Sequence, residues 1–283
     1  MGFNIAAVIT QPDRTGGRGK RMTSSEVKIV AEKYNILVFQ PTANNELAGI
    51  IKQINPDLAV VAAYGNLLPE EILSVPKYGS LNIHASLLPK YRGPSPIATA
   101  ILNGDAETGI TVIKMTGKMD AGPIVSQVRV KIDGEETTES LYQKLAVVSG
   151  EEISRVLPIY LGGEIQLRDQ DDNKATYCKL IKKDDGRIDW HRRAGEVERA
   201  IRAFTPWPNA YTYWNDKMLK ILDANVTEKA LDPGFVVTIG KSLLVGCGQD
   251  ALEITRLQLQ DRNPMSAEEF LNGNRDFDGA TLR

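Results

Sequence analysis

The sequence predicts an α/β protein. An N-terminal domain is built on a doubly wound, Rossmann-like and mostly parallel sheet, and a small β-barrel follows. Three observations carry this. Short apolar runs alternate with amphipathic helical stretches as far as Gly162 and Gly163, the pattern of strands joined by crossover helices. Residues 58–63 form one continuous apolar run, as expected of a central parallel strand covered on both faces. Beyond a polar, non-periodic stretch at 168–174, the pattern changes to several short strand-like runs separated by turn residues.

The elements follow in order. Residues 5–10 read as a buried strand. Residues 11–21 contain no apolar side chain and three glycines, which predicts a mobile loop. Its charges are Asp13 against Arg14, Arg18, Lys20 and Arg21, and two readings fit: a solvated surface loop, or a flexible basic finger that orders on a phosphate backbone. Thr23 to Glu26 has the spacing of a capping box, and Val27, Val30, Ala31 and Tyr34 follow at helical intervals, with Asn35 ending the helix. A strand at 36–39 precedes a helix with Leu47, Ile50, Ile51 and Ile54 on one face. Ser95 followed by Pro96 starts a short helix that Gly104 closes. Ile124, Val128, Val130 and Ile132 mark a strand, and a long helix runs from Thr138 to the glycine pair. The domains expected are 1–167, a linker at 168–178, and 179–283. In the last, a helix at 194–204 precedes strands at 210–214, 218–224, 234–239, 242–246 and 251–258. Arg187, Arg192, Arg193, Arg199, Arg202, Lys217 and Lys220 form either a salt-bridged surface or, the favoured reading, a phosphate-facing patch. Residues 204–208 are expected to pack the helix end on the barrel.

Composition narrows the function classes. The chain has 283 residues, 42% hydrophobic and 25% charged, with a formal charge of −2. That charge argues against wholesale coating of nucleic acid and leaves room for a local basic patch. No apolar run is long enough to span a bilayer, so no membrane partner is expected. Cys178 and Cys247 are isolated and the two histidines are far apart, so no metal site is expected and a reducing cytoplasm is the simplest compartment.

The chemistry-bearing stretch is 80–123. Asn82 and His84 are two residues apart on a short strand and so share a face. If the strand at 110–115 is its parallel neighbour, Asp120 in the following turn converges with both at the ligand-binding end of the sheet. Such a trio suits acyl transfer to an amine. The amide stabilises a developing oxyanion, the imidazole moves the amine's proton, and the carboxylate fixes the imidazole. The turn at Tyr64 and Gly65 reads from the residues alone as an ordinary strand-to-helix turn.

The run from Asn82 through His84 to Ser86, Leu87, Leu88 and Pro89, followed by Asp120, Ala121, Gly122 and Pro123, resembles the folate-dependent formyltransferases. The likeness extends from about residue 5 to about 275. Gln11 to Arg14, Gly17 to Lys20, Ala63 to Gly65 and Arg202 to Pro208 also match, and the whole most resembles the members that act on initiator methionyl-tRNA. The resemblance implies Asn82, His84 and Asp120 as catalytic residues, with Ser86, Leu87, Leu88 and Pro89 bordering a folate site and the Tyr64–Gly65 turn cradling the pterin. It implies 10-formyltetrahydrofolate as co-substrate, no metal, and a barrel like the oligonucleotide-binding fold. It favours the basic finger, with Arg14, Arg18, Lys20 and Arg21 on tRNA. The implied protein is a cytoplasmic monomer with folate and initiator methionyl-tRNA as partners. The alternatives are formyl transfer to a small amine such as a nucleotide sugar or glycinamide ribotide, and a non-catalytic tRNA-binding remnant. One departure stands out: family members carry a strand, loop and helix before the strand matching 5–10, so a gap is expected beside that strand.

Overall fold

Strand β1 (Val8–Ile9) opens the first unit, followed by β2 (Arg14–Gly16), β3 (Arg21–Thr23), α1 (Glu26–Lys33), β4 (Val38–Phe39) and α2 (Asn44–Ile54). Then come β5 (Ala59–Ala62), α3 (Glu70–Leu73), β6 (Ser80–His84), α4 (Pro96–Leu102), β7 (Glu107–Lys114), β8 (Ile124–Lys131) and the long helix α5 (Thr138–Leu161). This computed structural model describes residues 2–16 and 21–283. Two units emerge: Met1–Arg92 with Ile110–Val128 and Ser149–Thr176, and Gly93–Gly109 with Arg129–Val148 and Tyr177–Arg283.

In the first unit β1 pairs in parallel with β4, while β5, β6, β7 and β8 form a separate four-stranded sheet. Parallel character lies in the β1–β4 and β5–β6 ladders, whereas β7 runs antiparallel to β6, contrary to the parallel pairing expected. The 58–63 run was expected to be central and covered on both sides. Instead β5 is the sheet's edge, and Val60 is 45% exposed. Leu81 on β6 packs with Val112 of β7, Val125 of β8 and Val156 of α5, which leaves the opposite face of β6 to Asn82 and His84. A second cluster joins Leu47 and Ile51 of α2 to Ile72 of α3.

Residues 14–16 and 21–23 form a β-hairpin with Arg14 opposite Thr23, where a mobile loop was expected. That pairing occupies Thr23, so the helix cap is Ser25, whose hydroxyl accepts from the Lys28 amide at 3.3 Å. Of the expected apolar face of α1, Ala31 is buried, while Val27, Val30 and Tyr34 are exposed.

In the second unit, α6 (Ala194–Ala203) is followed by β9 (Ala210–Trp214), β10 (Lys217–Thr227), β11 (Val236–Ile239), β12 (Ser242–Gly246), β13 (Ala251–Leu259), β14 (Met265–Ser266) and α7 (Ala267–Gly273). The strands make one antiparallel sheet in the order β11-β12-β13-β10-β9, with β14 on β13. Register shifts around Asp223 bend β10. The core of this unit holds Val197 and Ile201 of α6 with Trp214, Phe270 and Phe277 packed edge to face. Within this unit Phe204 is buried as expected, but Trp207 is 58% exposed. Arg199 donates to the Leu102 carbonyl, and Arg202 is bound to Glu198 and the Glu136 carbonyl. Both guanidiniums have partners within the unit.

Candidate active site

The Asn82 amide and the Asp120 carboxylate meet at 3.3 Å, Nδ2 to Oδ1. The other carboxylate oxygen, Oδ2, faces His84 Nδ1 at 3.6 Å. The trio therefore converges even though β6 and β7 are antiparallel. The reason is local. β6 ends at His84 with Thr111 opposite, and Asn82 lies opposite Ile113, near the β7 end from which the chain turns back to Asp120. Asp120 itself sits at φ 48°, in the left-handed region. Gly122 lets the turn lie against β7, since a Cβ there would be 1.8 Å from the Lys114 carbonyl oxygen.

His84 is buried, and its Nε2 lies 2.9 Å from the Tyr91 carbonyl oxygen. A carbonyl oxygen only accepts, so Nε2 carries the ring proton and Nδ1 is the basic nitrogen, turned toward Asp120. The Asn82 amide keeps one N–H beyond the one directed at Asp120.

A cavity of about 360 Å³ opens beside Asp120, lined by Asn66, Leu67, Leu68, Ile113, Met115 and Met119 among others. Its size and mixed lining suit a small organic ligand. The residues expected around folate stand nearby in the chain with distinct tasks. Ser86 is buried and donates to the Lys90 carbonyl at 2.5 Å; Leu88 packs against Ile113 and Ile124. The Leu87 and Pro89 carbonyls accept from Lys90 and Thr176. The Tyr64 carbonyl accepts from Gln11 Nε2 at 3.3 Å, with Ala63 at φ 47° and Gly65 at φ 80° forming the turn. Burial raises the Tyr64 phenol above its ordinary value. None of these six residues is among those lining the cavity.

Sequence reasoning missed Thr111 and Gln127. Thr111 Oγ1 donates to the Ser86 carbonyl and accepts from Leu88 N and Gln127 Nε2, and Gln127 also donates to the Leu88 carbonyl. The pair shapes the 86–89 loop from below. A Thr or Gln inside a strand gives no periodic signal of such a role.

Of the basic residues, Arg14 is exposed on β2, Arg21 is on β3, and Arg18 and Lys20 lie outside the described residues. Asp13, at the hairpin's base, is held by Lys28 Nζ at 2.7 Å and by Gln40 Nε2 at 2.8 Å. These hydrogen bonds keep its carboxyl below the ordinary 3.8. No helix among the described residues is long and apolar enough to cross a membrane.

Comparison with known proteins gives this arrangement its relatives. Residues 1–157 match a family model described as formyl transferase, and residues 180–275 match the formyl transferase C-terminal domain. A methionyl-tRNA formyltransferase of Geobacter metallireducens is 40% identical over 99% of this chain and 91% of its own length. One of Chloroflexus aggregans is 44% identical over 96% and 90%. Among solved structures, HypX from Aquifex aeolicus in complex with tetrahydrofolic acid superposes with a TM-score of 0.63 at 18% identity, over 85% of this chain and 43% of that one. The sugar 3N-formyl transferase WlaRD superposes with a TM-score of 0.66 at 18% identity, over 91% and 88%. The structural likenesses concern the fold, while the two family models and the near full-length relatives settle descent: the chain belongs to the formyl transferase family.

Proposed function

We propose that this chain transfers the formyl group of 10-formyltetrahydrofolate to the amino group of methionine on initiator tRNA. The observation that carries the reading is the near full-length match, at 40% and 44% identity, to relatives named methionyl-tRNA formyltransferase. The convergence of Asn82, His84 and Asp120, the last of which lines an open cavity, supports it.

The chemistry runs through the trio. The neutral methionine amine attacks the formyl carbon and a C–N bond forms. The free Asn82 N–H donates to the oxygen as negative charge builds on it. His84 takes the amine's proton at Nδ1, and the imidazolium then has an acceptor on each side, Asp120 and the Tyr91 carbonyl. The proton passes to the folate nitrogen as its bond to the formyl carbon breaks, leaving tetrahydrofolate. The Tyr91 carbonyl holds the neutral ring through Nε2, and Asp120 offsets the transient charge once Nδ1 carries the proton. Every step uses groups of this chain and the two substrates.

The remaining assignments belong to the same proposal. Ser86, Leu87, Leu88, Pro89, Tyr64 and Gly65 shape the folate side through the backbone turns they form. Arg14, Arg18, Lys20 and Arg21 meet tRNA phosphates. Residues 1–167 carry the transfer and 179–283 assist in tRNA binding, in a cytoplasmic monomer.

The test is direct. Purified protein is given 10-formyltetrahydrofolate with methionyl initiator tRNA, or with an amino sugar nucleotide or glycinamide ribotide in its place. Formylation of the tRNA in clear preference to the small amines is the expected result. Preference for a small amine, or tRNA binding without turnover, would replace the reading.

A further inference from the structure

The polar stretch 168–176 is woven into the first unit rather than left between elements. Arg168 and Ile124 exchange backbone hydrogen bonds at 2.7 and 3.0 Å. Gln170 Nε2 donates to the Asp120 carbonyl and to the Gly122 carbonyl, both at 2.8 Å. Gln170 Oε1 accepts from Arg92 Nε at 3.0 Å and Arg92 Nη2 at 2.8 Å. Arg92 is 3% exposed, and its Nη2 also reaches Asp172 at 2.7 Å. A side-chain amide has two donor hydrogens and two acceptor lone pairs, so Gln170 has used all four. Its orientation is fixed, because a flipped amide would aim N–H groups at a guanidinium and an oxygen at two carbonyls.

The other end of the stretch reaches the other side of the trio. Thr176 Oγ1 accepts from Tyr91 N at 2.8 Å, and the Thr176 carbonyl accepts from Arg92 N at 2.8 Å. Tyr91 lies at φ 62°, and its carbonyl oxygen faces His84 Nε2. Asp120 and Tyr91 are thus both non-glycine residues at left-handed φ. Such a conformation persists where surrounding contacts over-determine it.

We infer that Gln170, locked by Arg92, is a positioning residue for formyl transfer: it holds the Asp120 turn so that the carboxylate meets both Asn82 and His84. The inference rests on the proposed function for its kinetic arm only. Gln170 touches no reacting atom. It acts by keeping Asp120 in reach of the ring, and misplacement of a catalytic group by about 1 Å costs up to roughly 100-fold in rate.

The test uses the full chain with Gln170→Met, which keeps length and removes all four bonds. Expected is a fall in kcat of roughly 10- to 100-fold with KM for folate and tRNA within about twofold of wild type. In the Asp120→Ala background the same substitution should cost nothing further, because the group it positions is gone. The chain has two histidines, His84 and His191, so the ring signals in NMR spectra are readily assigned. Gln170→Met should move the His84 signals and leave those of His191 in place. Unmoved His84 signals, an unchanged kcat, or an additive loss in the Asp120→Ala background would each overturn the inference. If Gln170→Met does not fold, Gln170→Glu serves: it keeps the acceptor for Arg92 and turns the donors into an acceptor against two carbonyls. Failure of both to fold would make Gln170 a residue of fold stability and overturn the positioning role. If wild type does not formylate tRNA yet the His84 signals move, the proposed function falls and the brace stands.

Discussion

The imidazole of His84 is pinned to the backbone of Tyr91, with Nε2 and the carbonyl oxygen 2.9 Å apart. Nδ1 is thereby committed to the Asp120 side, 3.6 Å from the carboxylate. Replacing Asn82, His84 or Asp120 by Ala should slow formyl transfer by roughly 100-fold or more, the scale for losing an oxyanion donor or an acid–base partner. Single-turnover rates with saturating folate check this. Turnover close to wild type would remove that residue from the mechanism.

Gly122 is the tightest point of the same turn, with the Lys114 carbonyl 1.8 Å from where a Cβ would stand. Backbone cannot yield as a flexible side chain does. Gly122→Ala should destabilise the protein by about 3 kcal/mol or more, or displace Asp120 with loss of activity. Denaturant titration read beside activity distinguishes it from Gly134→Ala, where nothing stands within 4 Å of the added methyl and little change is expected.

The Asp13 carboxyl is held below its ordinary 3.8 by hydrogen bonds from Lys28 and Gln40. A lowered folded-state value means the stabilisation is complete above the unfolded value and fades as pH falls through the folded one. Wild type should therefore exceed Asp13→Asn in stability at about pH 6, and the gap should close at or below about pH 3. Urea midpoints at both pH values measure it. A gap that widens in acid would contradict the pairing.

Phe270 and Phe277 are each 1% exposed, and both meet Trp214 edge to face. Phe270→Ala should cost about 3–5 kcal/mol from lost burial and the cavity left behind. Chemical denaturation followed by Trp fluorescence reports on it. A change under about 1 kcal/mol would mean that the pocket collapses around the loss.

The antiparallel sheet of the second unit was the most legible part of the chain. The strands at 210–214 and 242–246 match β9 and β12 end for end, because each is a short run bounded by turn residues, Pro208 and Asn209 before and Asn215 and Asp216 after β9, Gly240 before and Gly248 after β12. β14 was missed because a two-residue strand carries no period, and α7 although Ser266 and Glu269 form a capping box ahead of it. The 58–63 run read as central because an apolar strand looks the same wherever it stands in a sheet; only its neighbours make β5 an edge. The trio was legible from Asn82 and His84 sharing one face. Gln170 was not: its bonds to Asp120 and Gly122 span 50 and 48 residues and join a side chain to backbone, which no local pattern encodes.

That long span has a consequence for how the protein is made. A chain emerging from the ribosome has Asn82, His84 and Asp120 available well before Gln170 and Thr176. Through that interval the turn at Asp120 and the bend at Tyr91 lack the partners that hold them at left-handed φ. The arrangement of Asn82, His84 and Asp120 therefore gains its full set of braces only when residues 170 to 176 have been made.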